Sequence, residues 1–264
     1  MELAAAPGRF FGRMGRTFLE GLAHFLALFA MARRLLILTL VQPRTGRRLV
    51  SRIAVEQVHF SAVQALTVLL PTAVIVGSLL VAQFSKIAGV YDLGRVAVLL
   101  LVREMGPVIT ALIVILRSGI AVTVEVSYMR VLHEIEAVEM GGMDPLRLIA
   151  YPRMAGITVA MLCLFFLFDL AAVFGGYTAN WLLTDLTLDQ FMSQVGKAVT
   201  GADIAVGALK ALSFGIIISV VSLYRGFTVE RRMTAIPANC SAAAMESMFY
   251  CLVMNIFISS IFYL

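Results

Sequence analysis

Arg103 and Glu104 stand side by side in a strongly apolar stretch, with Gly106 and Pro107 just after them. Asp169, Lys210 and Glu246 are ionisable residues in three further apolar runs. A charge at the bilayer centre costs about 2.5–3.5 kcal/mol on insertion scales, so such groups pair or face a cavity. Neighbours on a helix project about 100° apart, so Arg103 and Glu104 need not pair with each other. Pro107 removes a backbone donor and kinks a helix near its position. Two readings follow: a bent, charged element lining a cavity, or a pair anchoring the helix near the outer headgroups. Glu104 lies about 20 Å from Arg117 at 1.5 Å per residue, which puts it in the outer half of a membrane.

A second constellation is acidic: Glu125, Arg130, Glu134, Glu136, Glu139 and Asp144. Residues 122–140 read as one helix outside the membrane. Arg130 and Glu134 form an i,i+4 pair of opposite sign on it. Glu136 and Glu139 share a face. Gly141-Gly142 stops the helix, and Asp144-Pro145 supplies a cap and first-turn proline for the next. A short helix bounded in this way suits docking of a soluble partner, or is a solvated loop helix. Signals for enzymatic chemistry are few. His24, His59 and His133 are isolated, and no zincin, nucleophile-elbow or Cys-x-x-Cys motif occurs. No P-loop occurs either, so ATP and Mg would have to be bound by another polypeptide. Cys163, Cys240 and Cys251 have no metal-like spacing and read as buried thiols.

These groups need elements to hold them. Of 264 residues, 61% are hydrophobic and 14% charged, against about 25% charged in soluble domains. That composition defines an all-α integral membrane protein. No cleavable signal peptide is expected, because Arg33-Arg34 and not a small-residue site ends the first apolar run. Residues 11–40 form a helix with Arg13, Arg16, Glu20, His24, Ala27 and Arg34 on one stripe. Phe11, Phe18, Leu22, Phe25, Leu26 and Phe29 lie opposite, the pattern of a helix lying in the membrane interface. Five spans follow, at about 60–82, 96–116, 154–181, 203–224 and 241–264, with Pro71 and Gly77 inside the first. Residues 1–57 thus form an interfacial helix and basic loop, and residues 58–264 a five-helix domain with the acidic helix between its second and third spans. Sixteen of the 21 Lys and Arg residues fall in 1–57, 117–153 and 225–239. By the positive-inside rule this side is cytoplasmic, with the N-terminus inside and the C-terminus outside. The net charge of +5 therefore reports topology, and no nucleic-acid partner is expected.

The ordered run Arg103-Glu104, Gly106-Pro107-Val108, Thr110-Ala111-Leu112, Arg117, Ala121, Glu125, Met129-Arg130, Glu134-Ile135, Ala137, Glu139-Met140 and Asp144-Pro145 closely resembles the MlaE-type permease family. Its members are membrane subunits of ABC transporters that work with MCE proteins on lipids. Pro152-Arg153, Gly175-Gly176 and the chain length agree. The resemblance implies a homodimer in the bacterial inner membrane and a cytoplasmic ATPase dimer docked near residues 125–143. It also implies a periplasmic MCE ring and a lipid cavity between the two permeases. Glu104 matches a family glutamate beside that cavity, with Arg103 and Pro107 adjoining, and Lys210 matches a fourth-span lysine. The chain departs from the pattern at Arg117-Ser118-Gly119-Ile120-Ala121, in the loop beginning at Arg225, and at Asn255, which replaces an acidic residue common in the last span. The function implied is ATP-driven transfer of phospholipid or a related lipid, by a subunit that is not itself an enzyme. An intramembrane lipid-modifying enzyme or an ion or solute channel are the alternatives.

Overall fold

The computed structural model describes residues 6–40, 47–87, 99–183, 193, 195–196 and 199–263. Among them there is no strand. The α-helices among the described residues run in order: α1 (Ala6–Leu40), α2 (Arg47–Ile87), α3 (Leu101–Val131), α4 (Glu134–Met140), α5 (Tyr151–Leu183), α6 (Gly201–Thr228) and α7 (Ile236–Tyr263). All but α4 contain a stretch long and apolar enough to cross a membrane, so the chain is a multi-pass membrane protein. The connection between the first two expected spans is described only to Ile87, and Asp185, Asp189 and Lys197, between the third and fourth, lie outside the described residues. So do the side chains of Arg13, Arg16 and Glu20.

Lipid tails are as apolar as Leu, so helices in a bilayer associate through close packing at small residues. The α2–α5 pair follows this rule. A Cβ on Gly77 would collide with the Ala172 carbonyl, one on Gly175 with the Val74 backbone, and one on Gly156 with Gln57. The backbones touch because those side chains are missing. Helix α6 is the hub. Its Gly207 packs on Phe165, Gly215 on Thr158 and Gly226 on Val126, and Phe214, Ile218 and Leu223 are fully buried. The outward faces of α1, α5 and α7 are apolar and exposed, with Phe25, Phe29, Leu170, Phe174, Ile256 and Phe257 among them.

Helix α1 turns its polar stripe inward at His24. The imidazole Nε2 lies 2.6 Å from Glu246 Oε1, Arg225 Nε donates to Glu246 Oε2 at 2.7 Å, and the His24 ring meets Tyr224 edge-on. The opposite stripe of Leu22, Phe25, Leu26 and Phe29 is exposed, although the Phe25 ring meets Tyr250 edge-on. His24, isolated in sequence, thus joins Arg225 as a partner of Glu246.

Two expectations are corrected. The helix of the second span does not end at Leu116: α3 continues through Arg117 to Val131, 31 residues in all, or about 46 Å at 1.5 Å per residue. A hydrocarbon core is about 30 Å thick, so the helix is long enough to project beyond it. The break comes instead at Leu132–His133, where His133 adopts the left-handed conformation at φ 61°. Residues 122–140 are therefore two helices, not one. Cys163, read as buried, is exposed, whereas Cys240 and Cys251 are buried.

Candidate functional site

The site begins with the missing donor of Pro107. In a regular helix the amide of residue 107 would bond to the carbonyl of residue 103, and proline has none to give. The backbone just before it is wound as a π-turn, Leu101–Met105, closed by the Gly106 amide on the Leu101 carbonyl. Such wide turns inside α-helices are frequent at functional sites. The carbonyl oxygen of Arg103 is then bonded from outside the helix: Lys210 Nζ of α6 donates to it at 2.8 Å. Lys210 also donates to Glu104 Oε1 at 3.0 Å and to Ser259 Oγ of α7 at 2.7 Å. An ammonium has three donors, and each has an acceptor. Ser259 passes its own proton to Glu104 Oε1 at 2.7 Å, and Asn255 Nδ2 donates to Glu104 Oε2 at 2.8 Å.

Lys210 is wholly enclosed, with 0% of its side chain accessible, while Glu104 keeps 32%. The pair therefore has a buried cationic end and an open anionic end. Beside it Arg103 Nε lies 2.8 Å from Asp203 Oδ1. The other Asp203 oxygen accepts from the Thr200 amide and hydroxyl, capping α6. Arg103 and Glu104 thus point to separate partners, as their 100° offset requires, and α3, α6 and α7 are tied at one level. The structure brings Arg103, Glu104, Pro107 and Lys210 together. It leaves out Asp169, which lies on the other side of the π-turn, packed against Gly106.

Sequence reasoning missed Asn255, Ser259, Asp203 and Thr200 as members. Asn255 and Ser259 are four apart in the C-terminal half of α7, and that spacing was the available signal. Thr200 and Asp203 form a capping box three apart, readable in the sequence as a helix start but not as an arginine partner.

The acidic constellation lies at the other end of α3. The expected Arg130–Glu134 pair does not form, because the break at His133 removes the i,i+4 relation. Among the described residues, Arg130 pairs with Glu136 at 3.1 Å, joined by Arg231 at 2.6 Å and His133 at 3.2 Å. Desolvation raises the Glu136 carboxyl, but its own backbone amide and the neighbouring Arg231, Arg130 and His133 outweigh this and hold it below its ordinary value. Glu125 pairs with Arg153 at 2.6 Å, and Arg153 also donates to the Ile149 carbonyl. Asp144 caps the following turn through the Leu146 amide at 3.0 Å. Glu134 and Glu139 are exposed, as are Met140 and Met143. Ile135, 2% accessible, roots α4 to the bundle.

The family pattern described as Permease MlaE matches residues 54–261. A probable ABC transporter permease protein of Rickettsia prowazekii is 27% identical over 245 residues, 91% of this chain and 93% of that one. The intermembrane phospholipid transport system permease protein MlaE of Haemophilus influenzae is 30% identical over 178 residues, 66% of this chain and 68% of that one. A probable ABC transporter permease protein of Synechocystis is 26% identical over 226 residues, 84% of each chain.

Proposed function

The chain belongs to the MlaE permease family, and from that membership we propose that it is the membrane subunit of an ATP-driven transporter moving phospholipid or a related lipid. In this reading two copies pair in the bacterial inner membrane, with the N-terminus cytoplasmic and the C-terminus periplasmic. The exposed apolar stripe of α1 lies in the interface, and five helices cross. A cytoplasmic ABC ATPase dimer binds ATP and Mg and docks on α4, where Glu134, Glu139, Met140 and Met143 are exposed. A periplasmic MCE ring receives or supplies the lipid.

The observation that carries this reading is the enclosed Lys210 held by Glu104, Ser259 and the Arg103 carbonyl at membrane depth. An ordinary span has no use for a buried ammonium, and intramembrane charges mark substrate paths. Glu104 is the half-open member of the network, so it is the group that meets a lipid headgroup. Coupling requires two states that ATP and lipid bind differently. Helix α3 supplies a rigid connection, because it carries Glu104 near one end and leads into α4 at the other.

The test is reconstitution of the chain with its ATPase and MCE partners, followed by ATP-dependent transfer of labelled phospholipid between vesicles. Glu104→Ala is expected to change lipid crosslinking to the site. Glu134→Lys combined with Glu139→Lys is expected to abolish co-purification of the ATPase while leaving the chain in the membrane. Normal co-purification in that double variant removes α4 as the docking element, and transfer without ATP overturns the transport assignment.

A further inference from the structure

On the face of the π-turn away from Lys210, a cavity of about 1330 Å³ opens between α2 and α5. Val74 and Ile75 of α2 form one wall, Phe166 and Phe174 of α5 the other, and Val102 and Ile204 the end. Among the described residues its lining is apolar except for Asp169 and Tyr177. Among the described residues Asp169 Oδ1 is buried without a hydrogen-bond partner. Its neighbour on the protein side is Gly106, where a Cβ would strike that same oxygen.

These two features restrict the occupant. The cavity lies between helices that cross the membrane, so what surrounds it is lipid, and an apolar wall takes an acyl chain. A lone buried carboxyl in such a place is costly unless it is neutral or hydrogen-bonded. Among the described residues no cation lines the cavity, so none of them supplies a counter-charge to a phosphate headgroup. An uncharged acceptor such as an ester carbonyl fits, taking a hydrogen bond from the protonated acid. We propose that the cavity between α2 and α5 binds one acyl chain of a membrane glycerolipid, with Asp169 donating to its ester carbonyl. This rests on the membrane placement of the helices, not on the role given to Glu104 and Lys210. The adjoining π-turn puts the occupant one wall away from that network.

A phosphatidylcholine carrying a diazirine on one acyl chain, incorporated into nanodiscs with the full transporter, tests this. After illumination, adducts are mapped by mass spectrometry. Adducts are expected on peptides containing residues 70–75 and 166–177, above the level on the outward face of α7 at Ile256 and Phe257. Asp169→Leu is expected to lower them about tenfold, the size of one hydrogen bond lost where no water replaces it. Asp169→Asn, which keeps a donor, should retain most of the signal. Leu170→Trp, at the exposed rim, should remove it by filling the space without disturbing the core. Glu104→Gln should leave these adducts unchanged, so failure here and failure of the transport reading are separable. Adducts no higher than on α7, or indifferent to both Asp169→Leu and Leu170→Trp, mean ordinary surrounding lipid and overturn the proposal. Crosslinks to a partner polypeptide in place of lipid overturn it as well.

Discussion

The two ends of α3 carry similar numbers of charges and treat them in opposite ways. At the Glu104 end Lys210 is sealed off, and every donor it has is occupied. At the Glu136 end two arginines and His133 crowd one carboxylate, but the side chains stay partly open, with 53% of Arg231 and 60% of His133 accessible. Coulomb attraction in a low-dielectric site is several times that near water, and so is the penalty for breaking it. One end is therefore a rigid joint among three helices. The other can lose and remake contacts with little change in free energy, as the docking surface proposed there requires.

The largest test of this contrast is Glu104→Ala. Removing one partner of a buried pair leaves an uncompensated charge and costs about 3–5 kcal/mol; unfolding in mixed micelles should show a loss of that size. The double variant Glu104→Gln with Lys210→Met should recover most of it, since replacing both members of such a pair is often nearly neutral. Failure to recover would mean that the Arg103 carbonyl freed by Pro107 needs Lys210 more than Glu104 does. Asn255→Leu comes next. It deletes one donor to a half-open carboxylate, and a loss of about 1–2 kcal/mol is expected in the same assay. Arg231→Ala should shift the unfolding midpoint least, and high salt should erase the shift; a loss as large as that of Glu104→Ala would end the comparison. The smallest effect is in pH. The Glu136 carboxyl is held below its ordinary value, so its contribution is present above the unfolded carboxylate pKa, about 4.3, and is lost as pH falls through the lower folded value. The wild type should therefore lose slightly more stability than Glu136→Gln on acidification through that range. Equal losses would show that the cations do not act on Glu136.

Much of the architecture was legible because insertion into a bilayer depends on local hydropathy. Helices were expected near all the described spans, and the basic residues cluster on alternate connections. The site was legible in part. Arg103, Glu104, Pro107 and Lys210 drew attention as charges and a proline in apolar runs, and they do meet. The error at Arg130–Glu134 came from extending a helical period across residues 132–133. No glycine or proline marks that break, and the left-handed conformation of His133 is a rarity for a residue with a Cβ. The pairing of Glu246 with His24, 222 residues away, had no local signal.

By itself the sequence determined that the chain lives in a membrane, roughly where it crosses, and that each charge inside must find a partner. Insertion free energy and the missing donor of proline are properties of a residue and its near neighbours, so they can be read in one dimension. Only the tertiary structure decided which partner each charge takes. That depends on the rotation of each helix about its axis and on its depth against its neighbours. Contacts such as Gly77 on Ala172 and Gly207 on Phe165 set both. They turn Lys210 toward the open carbonyl of Arg103 and leave Asp169 on the opposite side of the same turn.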